Sequence, residues 1–426
     1  MGVRLGNGNW AVKTSKLLAY NDASGMFFNK EFDFTRATTA TRVNKSGLIE
    51  SVASNLPRID FTNDTKGYLL LEPASTNKIT QSENVTSGGN TPQRIDTTQN
   101  VAVAPDGTTT ADLCIPSTAT GSHQPYQYRD DDTSTSFADG SNYAFSVFVK
   151  PNTTNGAQFV QMSTFIDTGG SNRVNFDIVN GTITQTGFVS SKIESYGNGW
   201  FRCSIVFEAL RDSTAGGSDG WALGIITAGD SARAESFTGD GSSNGVLVWG
   251  AQFEEVKSFA TSYIPTSSGT VTRNAETCRD SGAAQDFNST EGVLYFEIAS
   301  LRTVGNFESI ALSDGSNDNR HRFYLSDDSN EVVYQAQVST SNQCFFKVTT
   351  SDITAFNKIA LKYKQNDFAL WINGTEVATD SSGNVPSLSE LNFNSGNTFN
   401  DFEGKVREVR TYRTALTDSE LTALTT

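Results

Sequence analysis

The sequence predicts an all-β protein made of antiparallel strands packed as sandwiches, and three observations carry that prediction. Apolar and polar residues alternate with period two in many short runs. The runs are rich in β-branched and aromatic residues. Gly, Asn and Asp cluster between them. Successive side chains of a strand point to opposite faces, so this alternation gives one buried and one solvated face. The Asn-Gly and Gly-Asp pairs supply the positive φ that tight turns require.

Along the middle of the chain, Tyr143–Lys150 (YAFSVFVK) sets Tyr143, Phe145, Val147 and Val149 on one face. Val174–Val179 aligns Val174, Phe176 and Ile178, and Trp200–Phe207 and Val246–Phe253 continue the pattern. Asn180-Gly181, Asn198-Gly199 and Gly239-Asp240-Gly241 punctuate these runs. A second series comprises Gly292–Ala299, His321–Leu325, Glu331–Val338, Gln343–Val348 and Lys358–Lys364. Asn373-Gly374 then separates Phe368–Ile372 from Thr375–Ala378, the strongest hairpin signal in the chain. Helix is scarce; the clearest candidate is Thr417–Thr426, where Thr417 and Glu420 have the spacing of a capping box. The polar stretches Ser82–Thr98 and Ser267–Ala284 read as boundaries. They divide the chain into residues 1–80, 81–276 and 285–426.

Composition narrows the function classes. Over 426 residues, 32 Lys and Arg against 47 Asp and Glu leave a net charge of −15. Phosphate contacts need clustered cations, so nucleic acid is not expected as a partner. No run approaches the ~18 apolar residues of a membrane span, and the first twenty residues lack the apolar core of a secretory signal. Cys114, Cys203, Cys278 and Cys344 lie far apart with no CxxC, which favours buried thiols over a zinc site.

Residues 32–77 contain FTRAT, ATRVN, NLPRID and LLLEPASTN in that order, and this segment resembles one common in bacteriophage structural proteins. The middle block, with YAFSVFVKP, GNGWFRCSIVF, FTGDGSSNGVLVWGAQFEE and FATSYIPTSSGTVTRNAE, is similar to a carbohydrate-binding-module-like jelly roll. Residues 285–426, with FALWINGTEVA and FEGKVREVRTYRTALTDSELTAL, resemble the laminin-G-like, concanavalin A-like lectin domains. These resemblances imply an N-terminal virion-attachment segment (1–80) followed by two antiparallel β-sandwiches, a jelly roll and then a concanavalin A-like domain. They imply a head fibre, capsid decoration or tail fibre component, assembled in the bacterial host cytoplasm and carried on the virion. Its partners would be other virion proteins, host-surface glycans and further copies of the chain, a trimer above all. A soluble or surface glycan-binding adhesin and a polysaccharide depolymerase are the alternatives.

Sugar-binding sandwiches stack aromatics on pyranose faces. Tyr126, Tyr128 and Arg129, in a segment read as a loop, and Trp221, after a glycine-rich stretch, are therefore candidate glycan contacts. Trp200, Trp249 and Trp371 lie in strand patterns and are expected in the core. Asp130, Asp131 and Asp132 are adjacent and point different ways, so they cannot wrap an ion. Asp314, Asn317, Asp318 and Asn319 have the better spacing for calcium, the one cofactor considered. Neither His123 nor His321 stands near a nucleophile turn, and no paired carboxylates are evident for glycoside hydrolysis, so no enzyme is expected.

Overall fold

The computed structural model describes residues 3–13, 16–21, 26–87, 90–130, 138, 140–153, 156–164, 172–209, 219–242, 244–256, 258–397 and 399–426. They are almost entirely β, in antiparallel sheets. The chain forms two compact units rather than the three consecutive blocks expected. One comprises Met1–Arg42, Val52–Ala74 and Asn274–Thr426, the other Val43–Ser51 and Ser75–Arg273.

The first unit faces a twelve-stranded sheet with one of five strands. At the centre of the larger sheet, Gly404–Tyr412 pairs with Glu291–Ser300 on one side. On the other it pairs with Arg4–Gly6 and with Tyr68–Leu71. This is why residues 1–80 do not stand alone: their strands complete a sheet whose centre lies some four hundred positions further on. Such long-range pairing leaves no local pattern in the sequence. Gly6 marks the contact, since at φ 90 a Cβ there would overlap the Arg407 carbonyl. The smaller sheet runs Ser341–Thr349, Glu331–Val338, Arg320–Leu325, Ser309–Ser313, Glu390–Asn392. Between the sheets, Leu294, Phe296 and Ile298 meet Ile310, Leu312, Phe323, Leu325, Val332 and Tyr334. The alternation read from the sequence is thus the inward half of each strand.

Local signals hold as well. Asn373 and Gly374 take φ 48 and 82 and close the hairpin between Phe368–Ile372 and Thr375–Asp380. The helix Asp418–Thr425 opens on a capping box: the Thr417 hydroxyl accepts from the Glu420 N–H, and the Glu420 carboxylate accepts from the Thr417 N–H. Leu421 on this helix packs against Val293, Tyr295 and Trp371.

Four buried charged residues form one cluster inside the first unit. Arg58 donates from Nε to Glu276 Oε1 at 2.7 Å and from Nη2 to Glu72 Oε2 at 2.9 Å and to Glu276 Oε2. Its Nη1 donates to the Thr41 carbonyl at 3.0 Å. Arg36 donates to Glu276 Oε1 at 2.7 Å and to the carbonyls of Thr38, Val52, Ala53 and Leu56. The Glu72 N–H donates to Glu276 Oε2, and the Glu276 N–H to the Glu72 carbonyl. Burial opposes the charge on Arg58, but Glu276 and Glu72 outweigh it and hold its pKa above the usual guanidinium range.

The second unit is a sandwich of six and five strands. Phe145, Val147, Val149, Cys203, Ile205 and Phe207 on one sheet meet Val160, Met162, Val174, Phe176 and Leu223 on the other. The outer face of the six-stranded sheet is also covered. Trp200, Trp249, Phe148 and Tyr263 cluster there with Val43 and Ile49 from the Val43–Ser51 segment. Trp249 is out of phase with Val246 and Val248 because the strand is buried on both faces. Cys114, Cys203, Cys278 and Cys344 are buried free thiols. Burial raises the pKa of each, that of Cys344 to about 12, and keeps them unreactive.

Glu276→Gln leaves two buried guanidinium groups short of charge, and should cost about 3–5 kcal/mol in urea unfolding. Lys364→Gln, which removes the exposed pair with Glu291, should cost under about 1 kcal/mol. A second expectation concerns His321, which is fully buried, so that desolvation lowers its pKa to about 3. The unfolded chain takes up that proton near pH 6.5 and the folded chain does not. Stability therefore falls as pH drops from about 6.5 to about 3, by up to ~1.4 kcal/mol per unit. His321→Phe should flatten this stretch of the profile; an identical slope in both proteins would place its origin elsewhere.

Candidate functional site

Two of the expected glycan contacts are core residues. The segment read as a loop is the strand His123–Asp130, paired with Asp219–Ile226 so that Tyr126 stands opposite Leu223 and Tyr128 opposite Trp221. Tyr126 is 1% and Trp221 2% exposed. Trp221 stacks on Phe145 with ring centres 3.8 Å apart and lies 6.2 Å from Tyr126. A ring buried between sheets presents no face to a sugar, so these two positions are corrected to packing residues. The side chains of Tyr128, Arg129 and Asp130, and Asp131 and Asp132 altogether, lie outside the described residues. Trp200, Trp249 and Trp371 are buried, as their strand patterns implied.

Asp314, Asn317, Asp318 and Asn319 do come together, in the turn after Ser309–Ser313, but as a hydrogen-bonded turn. Asp314 Oδ1 accepts from the Ser316 N–H and hydroxyl, and Oδ2 from Asn319 Nδ2 at 2.9 Å. Asn317 Oδ1 accepts from the Arg320 guanidinium at 2.6 Å, and Asn319 Oδ1 from the Ser339 N–H. The oxygens a calcium ion would need are engaged by donors, and a cationic side chain already reaches into the loop. The residues do not fit a calcium site. Among the described residues no cluster of His, Cys, Asp or Glu could hold a metal ion.

The arginine that enters this turn belongs to a different surface. In Arg320–Leu325, His321, Phe323 and Leu325 point inward. Arg320, Arg322 and Tyr324 consequently occupy the outer face of the five-stranded sheet. The register lays out three rows across it: Ser309, Tyr324, Val333 and Lys347; Ala311, Arg322, Gln335 and Phe345; Ser313, Arg320, Gln337 and Asn342. Arg320 donates from Nε to Gln337 Oε1 at 2.9 Å and from Nη1 to the Ser395 carbonyl at 2.5 Å. Arg322 donates to Ser309 Oγ at 2.8 Å and to the Phe307 carbonyl at 3.0 Å, and lies 4.2 Å over the Tyr324 ring.

Three large aromatic side chains are exposed among the described residues, two of them at this face and the third in the loop whose Ser395 carbonyl binds Arg320. Phe307 is 39%, Phe345 47% and Phe399 65% exposed. The Phe307 ring lies 5.9 Å from Tyr324. Phe345 stands opposite Gln335. The Phe399 carbonyl accepts from the N–H of Ser395, whose own carbonyl binds Arg320. Exposed rings around a polar floor can stack on sugar CH surfaces while amides and guanidinium groups bond hydroxyls. The signal was present in RHRFYL, where alternation sends both arginines to one face, and in CFFKV, where one of two adjacent phenylalanines must point outward.

The second unit carries a cleft of about 360 Å³, lined in part by Phe159, Phe237, Thr227, Thr238, Asp240 and Asn244. Its wall is held by Glu235, which accepts from the Thr227 N–H at 2.7 Å, the Thr227 hydroxyl at 2.5 Å and the Ser231 hydroxyl at 2.9 Å. Burial opposes ionisation, but these hydrogen bonds prevail and lower the Glu235 pKa.

Residues 299–422, which contain the whole five-stranded sheet, match the concanavalin A-like lectin/glucanases superfamily, Laminin_G_3. This part of the chain carries a lectin-type β-sandwich. No curated protein matches the sequence. Among solved structures, the CBM40 of the Ruminococcus gnavus IT-sialidase, bound to α2,3-sialyllactose, is 15% identical over 35% of this chain and 94% of its own, with TM-score 0.29. The binding domain of botulinum neurotoxin DC in complex with SialylT is 14% identical over 35% of this chain and 39% of its own, TM-score 0.29. The heptameric SAP-like pentraxin of Limulus polyphemus is 14% identical over 32% and 70%, TM-score 0.27.

Proposed function

We propose that this chain is a virion structural protein of a bacteriophage that displays a glycan-binding sandwich, the outer face of the five-stranded sheet being the binding surface. The carrying observation is that exposed Phe307 and Phe345 flank Arg320, Arg322, Gln335 and Gln337, with exposed Phe399 in the loop bonded to Arg320, within a region that matches the lectin superfamily. The likeness of residues 32–77 to a phage structural segment, and of the block up to residue 276 to the carbohydrate-binding-module-like jelly roll that often follows it, supports the virion assignment. On this reading the protein is a head fibre, capsid decoration or tail fibre component, built in the host cytoplasm and present on the particle as a homo-oligomer. The face holds a ligand rather than cleaving it, because arginine, tyrosine, glutamine and phenylalanine supply contacts, whereas glycoside hydrolysis calls for two opposed carboxylates.

Two measurements test the two halves of this reading. Glycan-array binding by the purified full chain should fall about two- to tenfold with each of Phe345→Ala and Phe399→Ala, at unchanged melting temperature. Array binding that both variants retain would move the site off this face. Mass spectrometry of purified particles should find the chain as a stoichiometric component, and its absence would sink the virion assignment.

A further inference from the structure

Arg320 and Arg322 differ from the other buried arginines of their unit. Arg36 and Arg58 share Glu276, and Arg302 pairs with Glu308 and with Glu403 at 2.9 Å. Among the described residues, neither Arg320 nor Arg322 pairs with a carboxylate, although the chain has 47 acidic residues against 32 basic. Every group that accepts from them is neutral: the Gln337 and Asn317 side chains, the Ser309 hydroxyl, and the carbonyls of Ser395 and Phe307.

A guanidinium group carries five N–H donors. These contacts leave Arg320 Nη2 and Arg322 Nη1 without a protein acceptor among the described residues. Both side chains are only 8% exposed, so water screens them poorly. Residues two apart on a strand stand about 7 Å apart on one face, so the two like charges repel with no anion between them. Burial, and then Arg320, pushes the pKa of Arg322 down to about 10. Burial likewise lowers that of Arg320, against the pull of nearby Asp318. Lys347, in the adjoining row, is already tied to Asp328 and Glu331 at 2.9 and 2.8 Å. The charge left unmatched on this face is the arginine pair.

We propose that Arg320 and Arg322 together receive the anionic group, a carboxylate or a sulfate ester, of an acidic polysaccharide whose sugar rings lie against Phe307, Phe345 and Phe399. This rests on the glycan-binding reading of the same face and names the ligand class. The free nitrogen of each guanidinium, Arg320 Nη2 and Arg322 Nη1, can donate to one oxyanion, and such charge-assisted hydrogen bonds are roughly twice as strong as neutral ones. The net charge of −15 works against non-specific attraction of polyanions, so an acidic polymer is retained only where the local field is positive.

The test titrates the full chain by calorimetry with polygalacturonate, its carboxyl-reduced form, dextran sulfate and neutral dextran, alongside Arg322→Gln, Arg322→Lys and Phe345→Ala. An acidic probe should bind at least about tenfold tighter than its neutral counterpart. The preference should vanish in Arg322→Gln and survive in part in Arg322→Lys, with folding of each verified by melting temperature. Phe345→Ala should weaken acidic and neutral probes alike. Preference for polygalacturonate assigns the carboxylate, and preference for dextran sulfate the sulfate. Equal or tighter binding of the neutral forms by the unmutated chain would overturn the inference and leave glycan binding standing. Failure to bind any of the four, together with an empty glycan array, would overturn both.

Discussion

The first unit is organised around Glu276. Its carboxylate accepts from Arg36, from two nitrogens of Arg58 and from the Glu72 N–H, and the Glu276 N–H returns a bond to the Glu72 carbonyl. Burying ions is costly unless every donor and acceptor is matched, so such a cluster forms only when all four segments arrive in register. Those segments are separated by up to 240 residues. Most of the second unit, Ser75–Arg273, lies between Glu72 and Glu276, and its remainder, Val43–Ser51, lies between Arg36 and Arg58. The Glu72–Glu276 contact therefore closes a loop of some two hundred residues, whose entropic cost grows only slowly with length.

This gives physical content to the recurring sequence pieces. FTRAT contributes Arg36, NLPRID contributes Arg58, LLLEPASTN contributes Glu72 and TRNAE contributes Glu276. The first three pieces lie in residues 32–77 and the fourth closes the middle block, and each supplies one charge to a single buried centre. Such residues cannot be exchanged one at a time, because a lone substitution strands a charge in the interior.

Local chemistry was legible in the sequence and long-range partnership was not. Period-two runs, the Asn373-Gly374 hairpin and the Thr417 capping box are decided within a few residues, and each stands where its pattern placed it. Membership of a sheet is decided by partners. Arg4–Gly6 carries no mark of its pairing with Glu408–Arg410, so the N-terminal residues looked like a separate segment. Tyr126 and Trp221 misled for a related reason. Polar neighbours and an aspartate run suggested a loop, whereas the pairing of His123–Asp130 with Asp219–Ile226 turns both rings into the sandwich. The arginine face was half legible: alternation aligns Arg320, Arg322 and Tyr324, but only the folded chain brings Phe307 and Phe345 beside them and the loop carrying Phe399 onto Arg320.

The two arginine environments of one unit show how the same side chain serves opposite ends. Around Glu276 the guanidinium charge is cancelled inside the protein, and the result is a fixed sheet junction. On the outer face Arg320 and Arg322 are bonded to neutral acceptors only, so their geometry is set while their charge is not neutralised. Neutral anchors are suited to a binding surface, because a carboxylate partner would have to be displaced by any anionic ligand. Tyr324 beneath Arg322 adds attraction without competing for its N–H groups. A sheet face built in this way holds its donors in position before a ligand arrives, and on the proposed reading the acidic balance of the chain disfavours polyanions elsewhere on its surface.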